Sequence, residues 1–366
     1  MAIVGAGPAG AAAAHVLAPG HDVVLLEREA ADGARIGESL VPACRPILAD
    51  LGLFEKVVAD GHAPYNGNIS IWGAAQPARR DFLFDPDGAG LHLDRARFDG
   101  RLRCEAVANG AELMRPAALA GVDYAPGSEH PWRLAVAVAA GRRRVACRVL
   151  IDATGRSSHV ARAQGAVRCS LDTLVSVYAL SPERLGGGSP DTFTTLEAVR
   201  DGWWYGAQLP GGRTVLAFHT DGDDPALGQM QTSGGFAGAA GRTVLIGEIL
   251  AWAGGLFGPA RVKAANSSRL DRAAGTDWLA VGDAACAFDP LSSQGLFNAL
   301  FTGLTGAQAI AARLAGDAAA FGRYDARIAS VFAAYRTNLK AYYGLERRWP
   351  ASRFWRRRQE AAPTAP

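Results

Sequence analysis

The sequence predicts an α/β protein in which a parallel-sheet lobe accepts an inserted, mostly antiparallel sheet and is followed by a helical C-terminus. Three observations predict this fold. A strand, a glycine-rich turn and a helix open the chain, and similar strand-to-glycine turns recur near residues 150 and 280. Runs of alternating apolar and polar residues lie between these turns, and helical periodicity dominates from Gly295 onwards.

The first element is a βαβ unit with the sequence I-V-G-A-G-P-A-G at residues 3–10. The first glycine allows a tight turn, the second lets a pyrophosphate approach the backbone, and the third lets the helix pack on the strand. The next strand ends in an acid that can accept hydrogen bonds from a ribose diol. The residues predicted to bind a dinucleotide here are Gly5, Gly7, Pro8, Gly10, Glu27 and Arg28.

Composition argues against a nucleic-acid-binding, membrane-spanning or metal-binding protein. The chain has 366 residues and a formal charge of +3, which is too small to indicate nucleic-acid binding. A membrane span is not expected, because no apolar run reaches about 18 residues. The five cysteines are scattered without C-x-x-C spacing, which indicates reduced thiols in the cytoplasm, and no His or Cys pair has the spacing of metal ligands.

Periodicity places the remaining elements. Predicted helices cover residues 9–18, 42–51 and 236–256. Predicted strands cover residues 68–72, 132–138 and 143–151, with a further block at 192–219 that turns at 210–212. We therefore expect a discontinuous cofactor lobe at 1–60, 90–165 and 265–320, a substrate lobe at 61–89 and 166–264, a helical segment at 321–358 and a tail at 359–366.

The second cofactor segment lies at residues 150–162, L-I-D-A-T-G-R-S-S-H-V-A-R. Asp152 ends an apolar strand and can accept hydrogen bonds from backbone amides or from a ribose. Gly155 permits close approach of a cofactor. An ordinary strand–turn–helix junction is the alternative interpretation.

The third cofactor segment lies at residues 278–295, W-L-A-V-G-D-A-A-C-A-F-D-P-L-S-S-Q-G. The acid after the glycine suits a ribityl chain, and the amides that open the following helix can stabilise negative charge on a reduced flavin. A buried helix cap is the alternative. The residues predicted to bind here are Gly282, Asp283, Pro290, Ser293, Gln294 and Gly295.

These three segments together resemble the FAD-binding pattern of flavoprotein monooxygenases with the para-hydroxybenzoate hydroxylase fold. Residues 93–99 resemble that family's R-x-x-F-D element, which implies that Arg95 lies near the FAD and that Phe98 and Asp99 are structural. The resemblance implies a Rossmann-like FAD lobe of the glutathione reductase and para-hydroxybenzoate hydroxylase type.

Residues 37–42 are similar to the G-E-S-x-x-P segment of flavin-dependent halogenases, which implies that Ser39 lies at the FAD. Residues 202–210 look like a variant of their W-x-W-x-I-P stretch. Two departures disfavour halogenation. No lysine lies between Ile69 and Arg95, where those enzymes place one, and Ser292 replaces the glutamate of their P-L-E-S-T-G segment.

The P-L-S-S-Q-G form, the tryptophan–tyrosine strand and residues 342–356 resemble the flavoproteins that mature quinone cofactors in lysine ε-oxidase, glycine oxidase and quinohemoprotein amine dehydrogenase. The resemblance implies hydroxylation of a tryptophan side chain in a partner protein through a C4a-hydroperoxyflavin. Related sequences act on small aromatic molecules instead, so a peptide client and a small substrate both remain open.

An aromatic substrate requires a dry pocket lined by aromatic side chains. Trp203 and Tyr205 share one face of a strand and Trp204 the other, so at most one set reaches the pocket, and core packing is the alternative for each. The predicted pocket residues are Trp72, Trp203, Trp204, Tyr205 and Phe288.

The candidate acid–base residues are Glu38, His92 and Ser292. Each has a structural alternative, because Glu38 and Ser292 can cap helices and His92 can be an ordinary buried histidine. The reductant is NAD(P)H or a separate flavin reductase. A flavin-dependent reductase or oxidase of a small molecule, or a flavin-binding maturation chaperone, is the alternative function. The arginines at 347–358 form a solvated basic helix or a docking surface for an acidic partner.

Overall fold

The structure, a computed structural model, describes residues 1–33, 35–183, 192–255 and 257–360. Its strands, in chain order, are β1 (Ala2–Val4), β2 (Val24–Leu26), β3 (Ser39–Leu40), β4 (Ala63–Tyr65), β5 (Gly67–Ile71), β6 (Ala78–Asp81), β7 (Gly90–His92), β8 (Glu112–Met114), β9 (Ala117–Tyr124), β10 (Trp132–Val138), β11 (Gly141–Cys147), β12 (Leu150–Asp152), β13 (Arg168–Ser170), β14 (Leu174–Leu180), β15 (Phe193–Val199), β16 (Gly202–Leu209), β17 (Arg213–Asp221), β18 (Arg261–Ala264), β19 (Ser268–Leu270), β20 (Ala274–Gly275), β21 (Trp278–Ala280) and β22 (Cys286–Ala287). Its α-helices are α1 (Pro8–Leu17), α2 (Cys44–Asp50), α3 (Phe54–Ala59), α4 (Arg95–Ala108), α5 (His159–Ala163), α6 (Leu227–Met230), α7 (Ser233–Ala240), α8 (Leu245–Trp252), α9 (Gly295–Leu314), α10 (Ala320–Leu345) and α11 (Arg353–Gln359). Short 3-10 turns lie at Gly155–Ser157, Pro210–Gly212, Gly282–Ala284 and Pro290–Ser292.

The first sheet has the strand order β20-β21-β12-β1-β2-β8, and its neighbouring strands are parallel except for β20 and β21. Its strands come from widely separated parts of the chain, as the predicted discontinuous lobe requires. The carboxyl ends of β1, β2, β12 and β21 meet at one edge, which is where ligands bind in open α/β sheets. The glycine turns found in the sequence follow three of these strands.

The second sheet has the order β18-β14-β17-β16-β15-β5-β6 and is antiparallel except between β15 and β5. This confirms the inserted, mostly antiparallel sheet. A small antiparallel sheet, β3-β7-β4, lies between the two and places Ser39 opposite His92. Strand β4 falls in the predicted substrate lobe, whereas its partner β7 falls in the predicted cofactor lobe. The small sheet therefore crosses the predicted boundary, and the domain bounds stay a prediction.

Small side chains bring α1 and α9 into close contact on the first sheet. Ala11, Ala12, Ala13 and Ala14 are fully buried. A Cβ added to Gly303 of α9 would lie 2.6 Å from a backbone oxygen of α1, so a larger residue there would separate the helices. This packing fixes the N-terminus of α1 and the start of α9 at the same edge of the sheet.

Most predicted elements are confirmed, including the strand at 132–138, the turn at 210–212 and the helical C-terminus. The single strand predicted at 143–151 is wrong, because β11 pairs with β10 whereas β12 pairs with β1 and β21. The single helix predicted at 236–256 is also wrong, because the Glu197 carboxylate binds the amides of Val244, Leu245 and Ile246 and starts α8 afresh. Residues 361–366 of the predicted tail lie outside the described residues. Within the described ranges, no helix has the length and hydropathy of a membrane span.

Candidate active site

The turn after β1 leaves space for a ligand at one of its three glycines. Gly5 has a φ of +107°, and a Cβ added to it would lie 2.2 Å from the Ala153 carbonyl oxygen. A Cβ on Gly10 would lie 2.0 Å from the Gly5 carbonyl oxygen. At Gly7 the nearest atom to an added Cβ is Nη1 of Arg35, at 3.8 Å. Packing of the turn therefore requires Gly5 and Gly10, whereas a Cβ at Gly7 would meet only the Arg35 side chain, at an ordinary contact distance.

The N-terminus of α1 directs unpaired amides at this space. Gly7 caps the helix without a side-chain hydrogen bond, and Pro8 occupies the first turn and has no N–H. The remaining amides and the helix dipole favour an anionic group. The pyrophosphate of FAD fits this end of the helix.

The carboxylate of Glu27 is fixed beside the same turn. Its Oε2 accepts a hydrogen bond from the Ala6 amide at 3.1 Å and its Oε1 one from the Glu29 amide at 3.0 Å. Each oxygen keeps a lone pair for a ribose diol. Arg28 lies outside this arrangement, because its side chain is 79% exposed and pairs with Glu29.

Arg95 holds the loop at residues 36–39. Its Nη1 donates to the carbonyl oxygens of Ile36 and Gly37, at 3.1 and 2.9 Å. Two further hydrogen bonds of 3.1 Å join its guanidinium to Asp99, which is buried. The structure therefore makes Asp99 the anchor of Arg95 and Arg95 the anchor of the loop.

Arg103 is a residue at this edge that the sequence analysis missed. It is buried, donates to the Ala6 carbonyl at 3.3 Å and binds Asp32 at 2.6 Å. The signal was present, since Arg95, Asp99 and Arg103 are spaced by four residues and lie on one face of α4.

Asp152 stabilises the turn after β12. Its Oδ1 accepts hydrogen bonds from the amide and hydroxyl of Thr154, at 2.9 and 2.6 Å, and its Oδ2 accepts one from the Ala161 amide at 2.8 Å. The side chain is fully buried. Of the two predicted partners, backbone amides and a ribose, the structure gives Asp152 the amides. Gly155, at a φ of +66°, has open space where a Cβ would lie.

The turn after β21 carries the third predicted acid. Gly282 has a φ of +60°, and a Cβ on it would lie 2.7 Å from the Ala9 side chain, so it packs directly against α1. Asp283 is 36% exposed and lies 3.5 Å from the Arg156 guanidinium. Arg156, which was not singled out from the sequence, also donates to the carbonyl of Phe288 at 3.0 Å.

Ser292 shapes the loop before α9. Its hydroxyl donates to the Asp289 carbonyl at 2.8 Å and accepts from the Gln294 amide at 3.3 Å. Ser293 adopts a φ of +51° and reverses the chain into the helix. The start of α9 at Gly295 has no side-chain cap. The Ser292 hydroxyl is used within the turn.

A hydrogen-bonded network joins the small sheet to the second sheet. The Tyr205 hydroxyl lies 2.9 Å from the Ser39 hydroxyl, which lies 3.4 Å from that of Thr194. Thr194 lies 2.9 Å from Nε2 of His92, and the His92 ring stacks on Tyr65. Ser39 and Tyr205 are partly exposed, whereas Thr194 and His92 are buried. The network therefore has one open and one buried end.

Glu38 lies beside the open end. Burial raises the pKa of its carboxyl group to about 7, against the opposing effects of the Gly37 amide at 2.9 Å and the Arg95 charge. Burial, with a contribution from the Glu38 charge, raises the pKa of Tyr205. Burial lowers the pKa of His92 to about 4, so that ring is neutral. The structure thus places His92 in the network and Glu38 beside it, and Ser292 makes its hydrogen bonds elsewhere.

The predicted pocket aromatics fall into separate groups. Trp203 is fully buried under α10 and α11, with its ring 6.2 Å from that of Trp72. Trp204 faces the other side of the sheet, beneath α7. Phe288 stacks on Tyr335 at 4.3 Å. Of the predicted set, Tyr205 alone belongs to the network around Ser39.

The C-terminal arginines pair mainly with acids of the same chain. These pairs are Arg348–Glu346, Arg353–Asp223, Arg357–Asp221, Arg357–Asp223 and Arg358–Asp221. The pairs with Asp221 and Asp223 attach α11 to the end of β17, so most of the predicted basic surface is neutralised within the chain.

Two clefts adjoin the network. One, of about 810 Å³, lies at Phe193 and the edge strand β6, and the other, of about 270 Å³, lies at Leu40 and Leu91. These three residues are the chain neighbours of network residues, so opposite faces of the same strands line the clefts and the network. Among the described residues, no group of His, Cys, Asp or Glu side chains is placed to hold a metal ion.

Comparison with known proteins agrees with this geometry. Residues 1–181 match the FAD binding domain family, and residues 255–366 match the tryptophan halogenase family. LodB of Marinomonas mediterranea, a putative FAD-dependent oxidoreductase, is 29% identical over 360 residues, which cover 97% of this chain and 95% of LodB. Flavin-dependent halogenase armH3 of Armillaria mellea is 28% identical over 344 residues, covering 86% and 68% of the two chains.

Solved structures share the whole fold. The myxobacterial chondrochloren halogenase CndH superposes with a TM-score of 0.86 at 26% identity, covering 99% of this chain and 86% of that one. The peptidyl tryptophan dihydroxylase QhpG has the same fold, with a TM-score of 0.79 at 24% identity and coverage of 100% and 79%. The two family models and these relatives therefore relate the chain, along nearly its whole length, to flavin-dependent halogenases and monooxygenases, and it is an FAD-dependent oxidoreductase.

Proposed function

We propose that this protein is a monooxygenase that hydroxylates an electron-rich aromatic ring, and that the ring is a tryptophan side chain of a partner protein during maturation of a quinone cofactor. One observation supports hydroxylation over halogenation: every lysine of the chain lies at the surface. The chain has three lysines, Lys56, Lys263 and Lys340, and all are exposed. No amine is available at the network around Ser39 and Tyr205 to carry an activated halogen.

The relatives support a hydroxylase as well as a halogenase. LodB, which matches nearly the whole chain, is described as a putative FAD-dependent oxidoreductase. QhpG, whose likeness shows the fold alone, is described as a peptidyl tryptophan dihydroxylase. We therefore expect a protein or peptide client, an electron supply from NAD(P)H or a separate flavin reductase, and a cytoplasmic location.

The chain's own residues bind the cofactor, orient the substrate and move protons. Bound and reduced, FAD supplies oxygen activation. The amides of α1 and the Glu27 carboxylate hold its pyrophosphate and ribose. The Glu38 carboxyl, with a pKa of about 7, can give or take a proton at neutral pH. The cluster around Trp203 excludes water from one side of the site.

The test measures whether an oxygen atom from O₂ is incorporated into the product. The FAD-loaded protein is supplied with NADH, NADPH or a flavin reductase, under ¹⁸O₂, with bromide and a panel of indoles, phenols and tryptophan peptides. Mass spectrometry should find ¹⁸O and no bromine in an aromatic product. Brominated product would establish a halogenase. Hydrogen peroxide with every aromatic unchanged would favour an oxidase or reductase.

A further inference from the structure

The smaller of the two clefts, of about 270 Å³, is built by the small sheet and two helices. Leu40 pairs with Leu91, and Leu91 pairs with Pro64, so these three lining residues lie side by side on one face of β3-β7-β4. Phe54 and Val58 are four residues apart on one face of α3 and line the same cleft. The cleft therefore has a floor of strand residues and a helical wall.

The surface of this cleft is apolar and open to solvent. Val58 is 45% exposed, and Pro64 and Ala89 are also exposed. An apolar surface in contact with water gains free energy when an apolar ligand covers it. The lining residues that have apolar side chains or none are Leu40, Val41, Phe54, Val58, Pro64, Ala89, Gly90 and Leu91.

Arg45 of α2 brings a positive charge to this apolar lining. Its guanidinium lies over the Phe54 ring, 4.7 Å from the ring centroid. A Cβ added to Gly88 would lie 2.2 Å from Nη1 of Arg45, so the guanidinium also lies against the backbone of the loop before β7. These two contacts hold the charge at the cleft, which we call the Arg45 cleft.

The Arg45 guanidinium lacks an anionic partner in the described part of the chain. Within residues 1–33, 35–183, 192–255 and 257–360 it makes neither an ion pair nor a hydrogen bond, although the side chain is partly buried. The arginines of α4 differ, since Arg101 binds Asp60 at 2.6 Å and Arg95 binds Asp99 at 3.1 Å. The planar donor fork of Arg45 is therefore available to a carboxylate.

We propose that the Arg45 cleft binds a small carboxylic acid with an apolar body, whose carboxylate pairs with Arg45 while its body covers Leu40, Leu91 and Pro64. The volume lies below the range of about 300–1,000 Å³ that is typical of drug-sized ligands, which favours a small acid over a peptide segment. Ser39 and His92 lie on the other face of the paired strands β3 and β7. The Arg45 cleft is therefore separate from the network and does not depend on the proposed function.

Binding is tested on the FAD-loaded protein with 3-phenylpropionate as the probe. In protein labelled with ¹³C at the valine methyl groups, the Val58 signals are identified as those lost in Val58→Ala. We expect them to shift on titration, with a dissociation constant of about 1 mM. Two related compounds separate the contributions, because 3-phenylpropanamide lacks the charge and propionate lacks the ring. Each should bind about tenfold more weakly or worse, since a charged hydrogen bond and a buried ring are each worth at least that factor.

Three variants test the role of Arg45. Arg45→Gln removes the charge from a partly exposed side chain and should bind the acid and the amide equally. Arg45→Lys keeps the charge and should keep a preference for the acid. Arg261→Gln removes an exposed arginine of β18, outside the cleft, and is the matched control that should bind like the native protein.

Each contrary outcome has a definite meaning. Unchanged Val58 signals at about 10 mM acid, ten times the expected dissociation constant, would overturn the proposed site. Equal binding of acid and amide by the native protein would overturn the pairing with Arg45, and so would a preference for the acid that survives in Arg45→Gln. These measurements involve no turnover, so their result stands whatever reaction the protein catalyses.

Discussion

The carboxyl group of Glu38 shows how burial sets the chemistry of a single residue. It is 2% exposed, and the positive charges of Arg95 and Arg213 only partly offset the cost of burying its anion. Its pKa of about 7 gives a carboxyl group that exchanges a proton near neutral pH, and it also makes folding depend on pH.

Replacing Glu38 by glutamine should remove this pH dependence. Between the ordinary pKa of 4.5 and about 7, the folded protein holds a proton that the unfolded chain has lost. The stability of the native protein relative to Glu38→Gln should therefore fall as the pH rises through this window, by about 1.4 kcal/mol per pH unit.

Urea denaturation of both proteins at several pH values in that window measures the difference. Asp289, whose pKa burial raises to about 6, titrates in both proteins and cancels. A constant difference in stability across the window would show that Glu38 ionises normally.

At the scale of elements, α11 is held by both its apolar and its charged side. Trp355 is fully buried, and its indole N–H donates to the Val199 carbonyl at 3.0 Å. Arg358 is largely buried and binds Asp221 at 2.8 Å. The helix therefore belongs to the core of the second sheet, and its arginines serve mainly to attach it.

Trp355→Ala should lower the free energy of unfolding by about 3–5 kcal/mol, because it leaves a cavity among aromatic rings and an unpaired carbonyl. Arg356→Ala, on the exposed face of the same helix, should change it by no more than about 0.5 kcal/mol. Chemical denaturation of the two variants provides the comparison. Equal losses would mean that α11 contributes through its charge and not through its packing.

At the scale of the whole molecule, FAD binding and folding are coupled. The first sheet gathers the three glycine turns and Glu27 from distant segments, so the binding surface exists only in the folded chain. FAD at 100 times its dissociation constant should therefore stabilise the protein by about 2.7 kcal/mol.

Two glycine variants distinguish ligand space from packing space. Gly7 has an extended backbone with a φ of −72°, and an added Cβ would meet only the Arg35 side chain at 3.8 Å, so Gly7→Ala should keep the stability without FAD and lose most of the stabilisation by FAD. Gly10→Ala should lower the stability without FAD, because its Cβ would lie 2.0 Å from a backbone oxygen. Unfolding curves with and without FAD test both variants. Full stabilisation of Gly7→Ala by FAD would place the pyrophosphate elsewhere.

The sequence by itself determined the cofactor class and the mixed α/β fold with its mostly antiparallel second sheet. The roles of Gly5, Gly10 and Glu27 follow from local spacing within one βαβ unit, because backbone geometry over a few residues fixes them. The second sheet was predictable for the same reason, since alternation along a strand reports its two faces. The sequence also showed that no lysine lies between Ile69 and Arg95, where halogenases place one.

Only the tertiary structure decided which distant side chains share the site. Tyr205, Thr194 and His92 lie on three strands, and no spacing in the chain predicts that β3 places Ser39 between them. The same holds for Trp203 and Trp204, which the helices cover from opposite sides. Hydrogen-bond partners and burial depend on contacts between remote segments, and these contacts exist only when the sheets have assembled.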